Sequence, residues 1–204
     1  MITIVDYGMG NVVSILNMLK YLGHAARVSA EPEDIRQAAK LILPGVGSFD
    51  TGMNNLEVRG LRQVLDEAVC ERHVPLLGIC LGMQLLSRRS EEGKLPGLGW
   101  INAETVRFRF APADTEPKIP HMGWNLIFPV RPDPLLTEIE EEARFYFVHS
   151  YHLICSDQKD ELARTTHGYT FPSIVNRGHI YGTQFHPEKS HRFGMKLLGN
   201  FAGL

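Results

Sequence analysis

The first 88 residues alternate short apolar β-type runs with helical patterns, a rhythm that few folds accommodate. Ile2–Asp6, Val12–Leu22, Ala26–Val28, Leu41–Pro44, Leu61–Val69, Pro75–Cys80 and Met83–Arg88 follow one another in this way. Such alternation reads as a parallel sheet with helices on its faces. After Pro96 the character changes to strand-like stretches: Thr105–Phe110, Asn125–Phe128, Arg144–His152, Leu162–Thr166, Ile174–Val175 and Ile180–Phe185. Mixed and antiparallel pairing is expected there. Asn176-Arg177-Gly178-His179 suits a hairpin turn, because Asn and Gly tolerate positive φ, and Phe193–Phe201 reads as a closing helix. Ala111–Pro120, with three prolines and mixed charge, reads as a surface excursion rather than a linker.

No internal repeat or low-complexity segment interrupts the chain. Its 204 residues, 44% of them hydrophobic, suffice for one core that buries about 70% of the unfolded surface. The expectation is therefore one α/β domain spanning 1–204: a mixed central sheet, helices on both faces and a strand-rich second half. The formal net charge of -2 and the lack of a Lys/Arg cluster argue against nucleic acid as a partner. The opening Met1-Ile2-Thr3-Ile4-Val5-Asp6 carries no secretory pattern, and no apolar run approaches 18 residues, so a cytoplasmic enzyme without membrane attachment is expected. Cys70, Cys80 and Cys155 give an odd count without CxxC spacing, leaving reactivity or burial as their roles rather than a disulfide framework or zinc site.

Cys80 has the most informative setting. Pro75-Leu76-Leu77-Gly78-Ile79 reads as a buried strand and Leu81–Arg88 as a helix, so Cys80 falls at the junction with glycine two residues to each side, a cysteine form of the nucleophile elbow. Glycines leave room for a sharp turn, and the start of a helix favours thiolate over thiol. Taken alone, the same run also fits a buried small hydrophobe between packing glycines. His186-Pro187-Glu188 supplies the base such a thiol needs. It follows a strand, Pro187 holds His186 extended, and residues i and i+2 of an extended segment project to one side. In that reading His186 is the general base and Glu188 orients and stabilises its imidazolium; the plain alternative is a strand end at the surface.

Gly78-Ile79-Cys80-Leu81-Gly82-Met83-Gln84 together with Gln184-Phe185-His186-Pro187-Glu188 resembles the class I, triad-type glutamine amidotransferases, over essentially the whole chain. The resemblance implies that family's mixed-sheet, flavodoxin-like fold and hydrolysis of L-glutamine through a γ-glutamyl thioester on Cys80, with glutamate and ammonia as products. Within the family, Asp6-Tyr7-Gly8-Met9-Gly10-Asn11, Pro120-His121-Met122-Gly123-Trp124-Asn125 and Tyr146-Phe147-Val148-His149-Ser150-Tyr151 are similar to the glutaminase subunits of imidazole glycerol phosphate synthase. That likeness implies a heterodimer with a (β/α)₈-barrel cyclase, which uses the ammonia in histidine biosynthesis.

The resemblance also implies further site residues. Pro44-Gly45-Val46-Gly47-Ser48-Phe49, by itself a Gly-rich turn, would supply an oxyanion-hole N–H from Val46 or Gly47 to join that of Leu81. Gln84, one turn beyond Cys80, would bind the substrate's α-amino or carboxylate group, where propensity alone makes it an exposed helix residue. Gly47, Ser150 and Tyr151 would also contact glutamine. Asn11, Met122 and Trp124 would face the cyclase, Met and Trp being enriched in interface cores. A dry passage to the partner would keep ammonia unprotonated.

Other readings are weaker. Gly8-Met9-Gly10, with Glu31 about 20 residues on, suggests a dinucleotide site, but Val13 stands where the third glycine belongs. No Gly-x-x-x-x-Gly-Lys-Ser/Thr run is present, and His121, His149, His152, His167, His179 and His191 are scattered without ligand spacing, so neither cofactor nor metal is expected. Two further readings use the same scaffold. One is a paralogue feeding ammonia to amidination of a surface-polysaccharide sugar, which the tail His191-Arg192-Phe193-Gly194-Met195 resembles; the other is a catalytically idle regulatory subunit. Amidotransferases of anthranilate or guanylate synthesis share the elbow and His-Pro-Glu but lack the run around Trp124.

Overall fold

The structure is a computed structural model that describes residues 1–111 and 117–204. Half of the proline-rich excursion expected over 111–120, residues 112–116, lies outside the described residues. Thirteen strands occur among those described. In chain order they are β1 (Ile2–Val5), β2 (Ala26–Ser29), β3 (Lys40–Leu43), β4 (Leu76–Ile79), β5 (Arg89–Ser90), β6 (Ala103–Arg107), β7 (His121–Leu126), β8 (Phe128–Pro129), β9 (Arg144–His149), β10 (Tyr151–Cys155), β11 (Glu161–His167), β12 (Tyr169–Arg177) and β13 (Ile180–Thr183). The helices are α1 (Val12–Tyr21), α2 (Pro32–Arg36), α3 (Phe49–Val58), α4 (Leu61–Asp66), α5 (Leu81–Leu85) and α6 (His191–Gly203).

The main sheet runs β2-β1-β3-β4-β13-β12-β11-β8. Its first five strands pair in parallel and the last three antiparallel. Successive strand residues face opposite sides, so each parallel strand feeds two cores. Val5, Leu41, Leu43 and Leu76 pack with Phe49, Met53 and Leu56 of α3 and Leu61, Val64 and Leu65 of α4. Ile4, Ile42, Leu77 and Ile79 pack with Ile15 and Leu19 of α1 and Leu197, Leu198 and Phe201 of α6. Each fully buried Leu, Ile or Phe contributes roughly 1.5–3 kcal/mol. Parallel strands buried on both faces explain why the N-terminal runs are continuously apolar.

The helix α3 escaped the sequence reading, although Phe49, Met53 and Leu56 recur at i, i+4 and i+7; its Gly52 and paired asparagines mask the pattern. The stretch Arg144–His152, expected as one strand, is two. β9 pairs with β7, β10 pairs with β6 in a separate three-stranded sheet, and Ser150 is the bend between them. The hairpin at 176–179 forms as expected, with Gly178 at φ 62° joining β12 to β13.

Candidate active site

β4 ends inside the sheet and α5 begins at Leu81, leaving Cys80 between them at φ 53°, ψ −107°. A non-glycine residue rarely adopts positive φ, and such strain persists only where surrounding structure enforces it. Here the enforcement is visible. The Cys80 N–H donates to the Thr183 carbonyl at 2.7 Å, tying the elbow to the end of β13. A Cβ on Gly82 would stand 1.9 Å from the Leu43 carbonyl oxygen, and one on Gly78 would stand 2.8 Å from the Gly82 carbonyl. The flanking glycines are therefore required by close backbone approach.

The helix after Cys80 stops at Leu85 rather than at Arg88. Carbonyls a longer helix would use are taken from outside: Leu98 N–H donates to Leu85, Ile101 to Leu86, Gly99 to Ser87 and Gly97 to Arg88. A five-residue helix supplies little dipole to the sulfur.

His186 arrives from the antiparallel side. Its N–H donates to the Tyr146 carbonyl at 2.9 Å. The buried Ser190 hydroxyl donates to the His186 carbonyl at 2.6 Å and accepts from the Tyr146 N–H at 3.0 Å. His186 and Glu188 meet, Nδ1 to Oε1 at 2.8 Å, with both side chains almost fully buried. The geometry differs from the expected extended segment: Pro187–Lys189 form a 3-10 turn, and that turn brings the carboxylate back to the ring. Burial disfavours the imidazolium, but the charge and proximity of Cys80 and the hydrogen bond and charge of Glu188 outweigh it. They push the His186 pKa up to about 10. His186 Nε2 closes no hydrogen bond of normal geometry among the described residues, which leaves it free for a reacting group.

Cys80 and His186 both line one cavity of about 310 Å³, at the small end of ligand pockets and suited to an amino acid rather than a nucleotide. Val46, Gly47, Leu81, Gln84, Ser150 and Tyr151 line it too. Val46 is half exposed and Gly47 has φ 126°, while Leu81, as the first residue of α5, has no helical carbonyl for its N–H. Gln84 is buried instead of exposed: its Nε2 donates to the Tyr151 carbonyl at 3.0 Å and to Gln184 Oε1 at 3.1 Å. Both N–H hydrogens being used, only its carbonyl oxygen can meet a ligand.

Glu92 and Lys189 also line the cavity and were not anticipated. Glu91-Glu92 reads in sequence as a solvated pair; Glu92 stays exposed, but the fold brings it to the cavity, where Oε2 accepts the Phe49 N–H at 2.8 Å. The turn at Gly8-Met9-Gly10 packs against the Pro44–Gly45 loop, a Cβ on Gly10 falling 2.8 Å from Pro44, so close packing accounts for that glycine without a dinucleotide.

Comparison with known proteins agrees with this geometry. The family described as glutamine amidotransferase class-I matches residues 3–203. The chain belongs to the class-I glutamine amidotransferases. It is 54% identical over 202 residues to imidazole glycerol phosphate synthase subunit HisH 2 of Methanococcus maripaludis, covering 98% of each chain. It is 51% identical over 204 residues to the protein of the same name from Pseudomonas aeruginosa, covering 100% of each. Among solved structures, PurLQS from Thermotoga maritima superposes with a TM-score of 0.72 at 17% identity, covering 99% of this chain and 97% of that one; this likeness concerns the fold alone.

The remaining expected residues of this amidotransferase, Asn11, Met122 and Trp124, do not line the cavity. Met122 and Trp124 alternate on β7 and both point outward, 63% and 46% exposed; the Trp124 ring stacks on His191 at 5.3 Å. Asn11 is half-buried and accepts the Ser14 N–H at 3.3 Å as the N-cap of α1. Four histidines that sequence left scattered gather around Phe108: His121, His149, His152 and His167. The Tyr151 carbonyl can only accept, so His149 Nδ1 donates to it at 2.8 Å. His149 Nε2 then accepts from His121 Nδ1 at 3.0 Å, and His121 Nε2 accepts from Asn125 Nδ2 at 3.1 Å. This order keeps the His149 and His121 rings neutral, and burial depresses the pKa of His121 to about 4 and lowers those of His149 and His152. Among the described residues no group of His, Cys, Asp or Glu is placed to hold a metal ion, and no helix is long and apolar enough to cross a membrane.

Proposed function

We propose that residues 1–204 form one glutamine amidotransferase domain acting as the glutaminase subunit of imidazole glycerol phosphate synthase in the cytoplasm. The observation that carries the reading is the convergence of strained Cys80 and the His186–Glu188 pair on one amino-acid-sized cavity; the subunit names of relatives at 54% and 51% identity give the pathway.

Cys80 sulfur attacks the side-chain amide carbon of L-glutamine, its proton passing to His186 Nε2. The oxyanion that forms is met by the N–H of Leu81 and one from Val46 or Gly47. His186 returns the proton to the leaving nitrogen, the C–N bond breaks, and ammonia leaves a γ-glutamyl thioester. Water, deprotonated by His186, then attacks the thioester; glutamate departs and the thiol is restored. Glu188 orients the ring and balances its charge throughout. The Gln84 carbonyl oxygen and the Glu92 carboxylate suit the substrate's α-ammonium, and Ser150 and Tyr151 contact its other polar end.

Ammonia passes to a (β/α)₈-barrel cyclase docked on the face of Asn11, Met122 and Trp124. Glutamine turnover by the isolated chain is low. In the complex, Cys80→Ala abolishes glutamine-dependent synthesis and leaves synthesis from ammonium salts intact; loss of both, or of neither, refutes the assignment. Rescue of a histidine auxotroph separates it from the sugar-amidinating paralogue.

A further inference from the structure

We infer that Gln184 is a further catalytic residue, its carboxamide N–H donating to the Cys80 sulfur as negative charge gathers there; the inference rests on the glutaminase reading and deepens it. Gln184 follows β13, is fully buried, and has its backbone fixed by donation to the Ser173 carbonyl at 2.9 Å. Its Nε2 lies 3.7 Å from Cys80 Sγ, within hydrogen-bonding range for sulfur, and its Oε1 accepts from Gln84 Nε2 at 3.1 Å.

The orientation of this amide is dictated by a single carbonyl. Tyr151 O can only accept, so Gln84 must turn its NH₂ toward it. The second hydrogen of that NH₂ needs an acceptor, which makes Gln184 present its oxygen to Gln84 and its nitrogen to Cys80. A reversed Gln184 would set NH₂ against NH₂ and lose both bonds.

A donor aimed at sulfur stabilises the thiolate more than the thiol, because charge-assisted bonds are the stronger kind. That contribution matters because the helix after Cys80 has only five residues. The same pair of amides ties the nucleophile to the ligand cavity: Gln84 has spent its donors on Tyr151 and Gln184, so its oxygen faces the substrate while Gln184 holds the sulfur.

The test uses the full chain bound to its barrel partner, with Gln184→Met, which keeps length but lacks the N–H, and Gln184→Glu, which keeps shape but replaces a donor by an acceptor. Two readouts are taken: the pH midpoint of Cys80 alkylation by iodoacetamide, followed on the Cys80 peptide by mass spectrometry, and kcat and KM for glutamine. Loss of a hydrogen bond to a charged group corresponds to about 10- to 100-fold. In Gln184→Met the alkylation midpoint therefore rises by about one pH unit or more and kcat falls by that factor, with KM changing less; Gln184→Glu loses more than Gln184→Met. A purely structural role would lower stability and raise KM while leaving the midpoint in place. An unchanged midpoint with kcat within about twofold of wild type, in folded Gln184→Met, overturns the inference.

Should neither variant fold, the Gln184 side-chain amide resonances of the ¹⁵N-labelled wild type decide. They shift through the titration of Cys80 and stay still in Cys80→Ala; no shift in the wild type overturns the inference. A wild-type complex that fails to hydrolyse glutamine while the midpoint still moves in the variants removes the glutaminase reading and leaves the Gln184–sulfur bond standing.

Discussion

The parallel side of the sheet places its contribution to the cavity by backbone sterics, whereas the antiparallel side does so with buried polar side chains. Cys80 is held at φ 53° by glycines with no room for a Cβ, at a junction between a strand and a short helix. His186 is held by the Ser190 hydroxyl, a 3-10 turn and a carboxylate, and Tyr151 sits on a chain of neutral histidines. Close packing is indifferent to pH, but networks of hydrogen bonds among titratable groups are not. Damage on the two sides should therefore differ in kind.

The largest effect is expected at Gly82. Gly82→Ala drives a methyl into the Leu43 carbonyl and should lower unfolding free energy by about 3 kcal/mol or more, equally at pH 6 and pH 8. Gly23→Ala, where φ is 80° but nothing lies within 4 Å, should cost only about 1 kcal/mol. Denaturant unfolding of both variants reads the contrast; a pH-dependent loss at Gly82 would break it.

The next effect concerns acid. Above pH 6.5 the imidazoles of His121, His149 and His152 are neutral in folded and unfolded chains alike. Below it, the unfolded chain binds protons that the buried rings refuse, so stability falls as pH drops until His121 itself takes a proton near pH 4. Each such histidine contributes a slope of up to about 1.4 kcal/mol per pH unit. His121→Asn should flatten the stability profile between pH 6.5 and 4; an unchanged slope would assign the acid sensitivity elsewhere. His186 has the opposite sign. Its raised pKa adds stability below pH 6.5 that is lost as pH climbs through about 10.

This division also explains what could be read from the sequence. The parallel half writes itself locally: continuous apolar strands, and glycines two residues either side of Cys80. The His186-Pro187-Glu188 run could be read as a pair, although the turn joining its ends could not, since an extended segment satisfies the same spacing. Gln84 reads as an exposed helix residue because its partners, Tyr151 and Gln184, are 67 and 100 positions away. The four histidines share no periodicity; they meet because β6, β7, β9, β10 and β11 end around Phe108. Glu92 becomes visible only when α3 lays its first N–H against it.

Smaller effects sharpen the picture on the antiparallel side. Ser190→Ala leaves the Tyr146 N–H unpartnered and takes one of two donors from the His186 carbonyl, which keeps only the Lys189 N–H. It should cost about 1–3 kcal/mol, measured by denaturant unfolding, and lower kcat for glutamine by loosening the ring. Trp124→Ala should change stability least, below about 1 kcal/mol, because the ring is 46% exposed. It should still weaken binding of the proposed barrel partner by about tenfold or more, measured by calorimetric titration; full affinity would move the docking face away from β7.

The central claim is that a nucleophile set by the parallel half works only with the arm supplied by the antiparallel half. It is tested most directly by labelling the full chain, in complex with its partner, with 6-diazo-5-oxo-L-norleucine, an electrophilic glutamine analogue, and mapping the adduct by mass spectrometry in wild type and His186→Asn. The account predicts one adduct, on Cys80. None forms on exposed Cys70, which lies outside the cavity, or on Cys155, whose thiol is pushed up to about 12 by burial and the nearby Glu161 and Asp160. In His186→Asn labelling slows by at least about 100-fold. An adduct on another cysteine, or equal labelling rates in the two proteins, would contradict it.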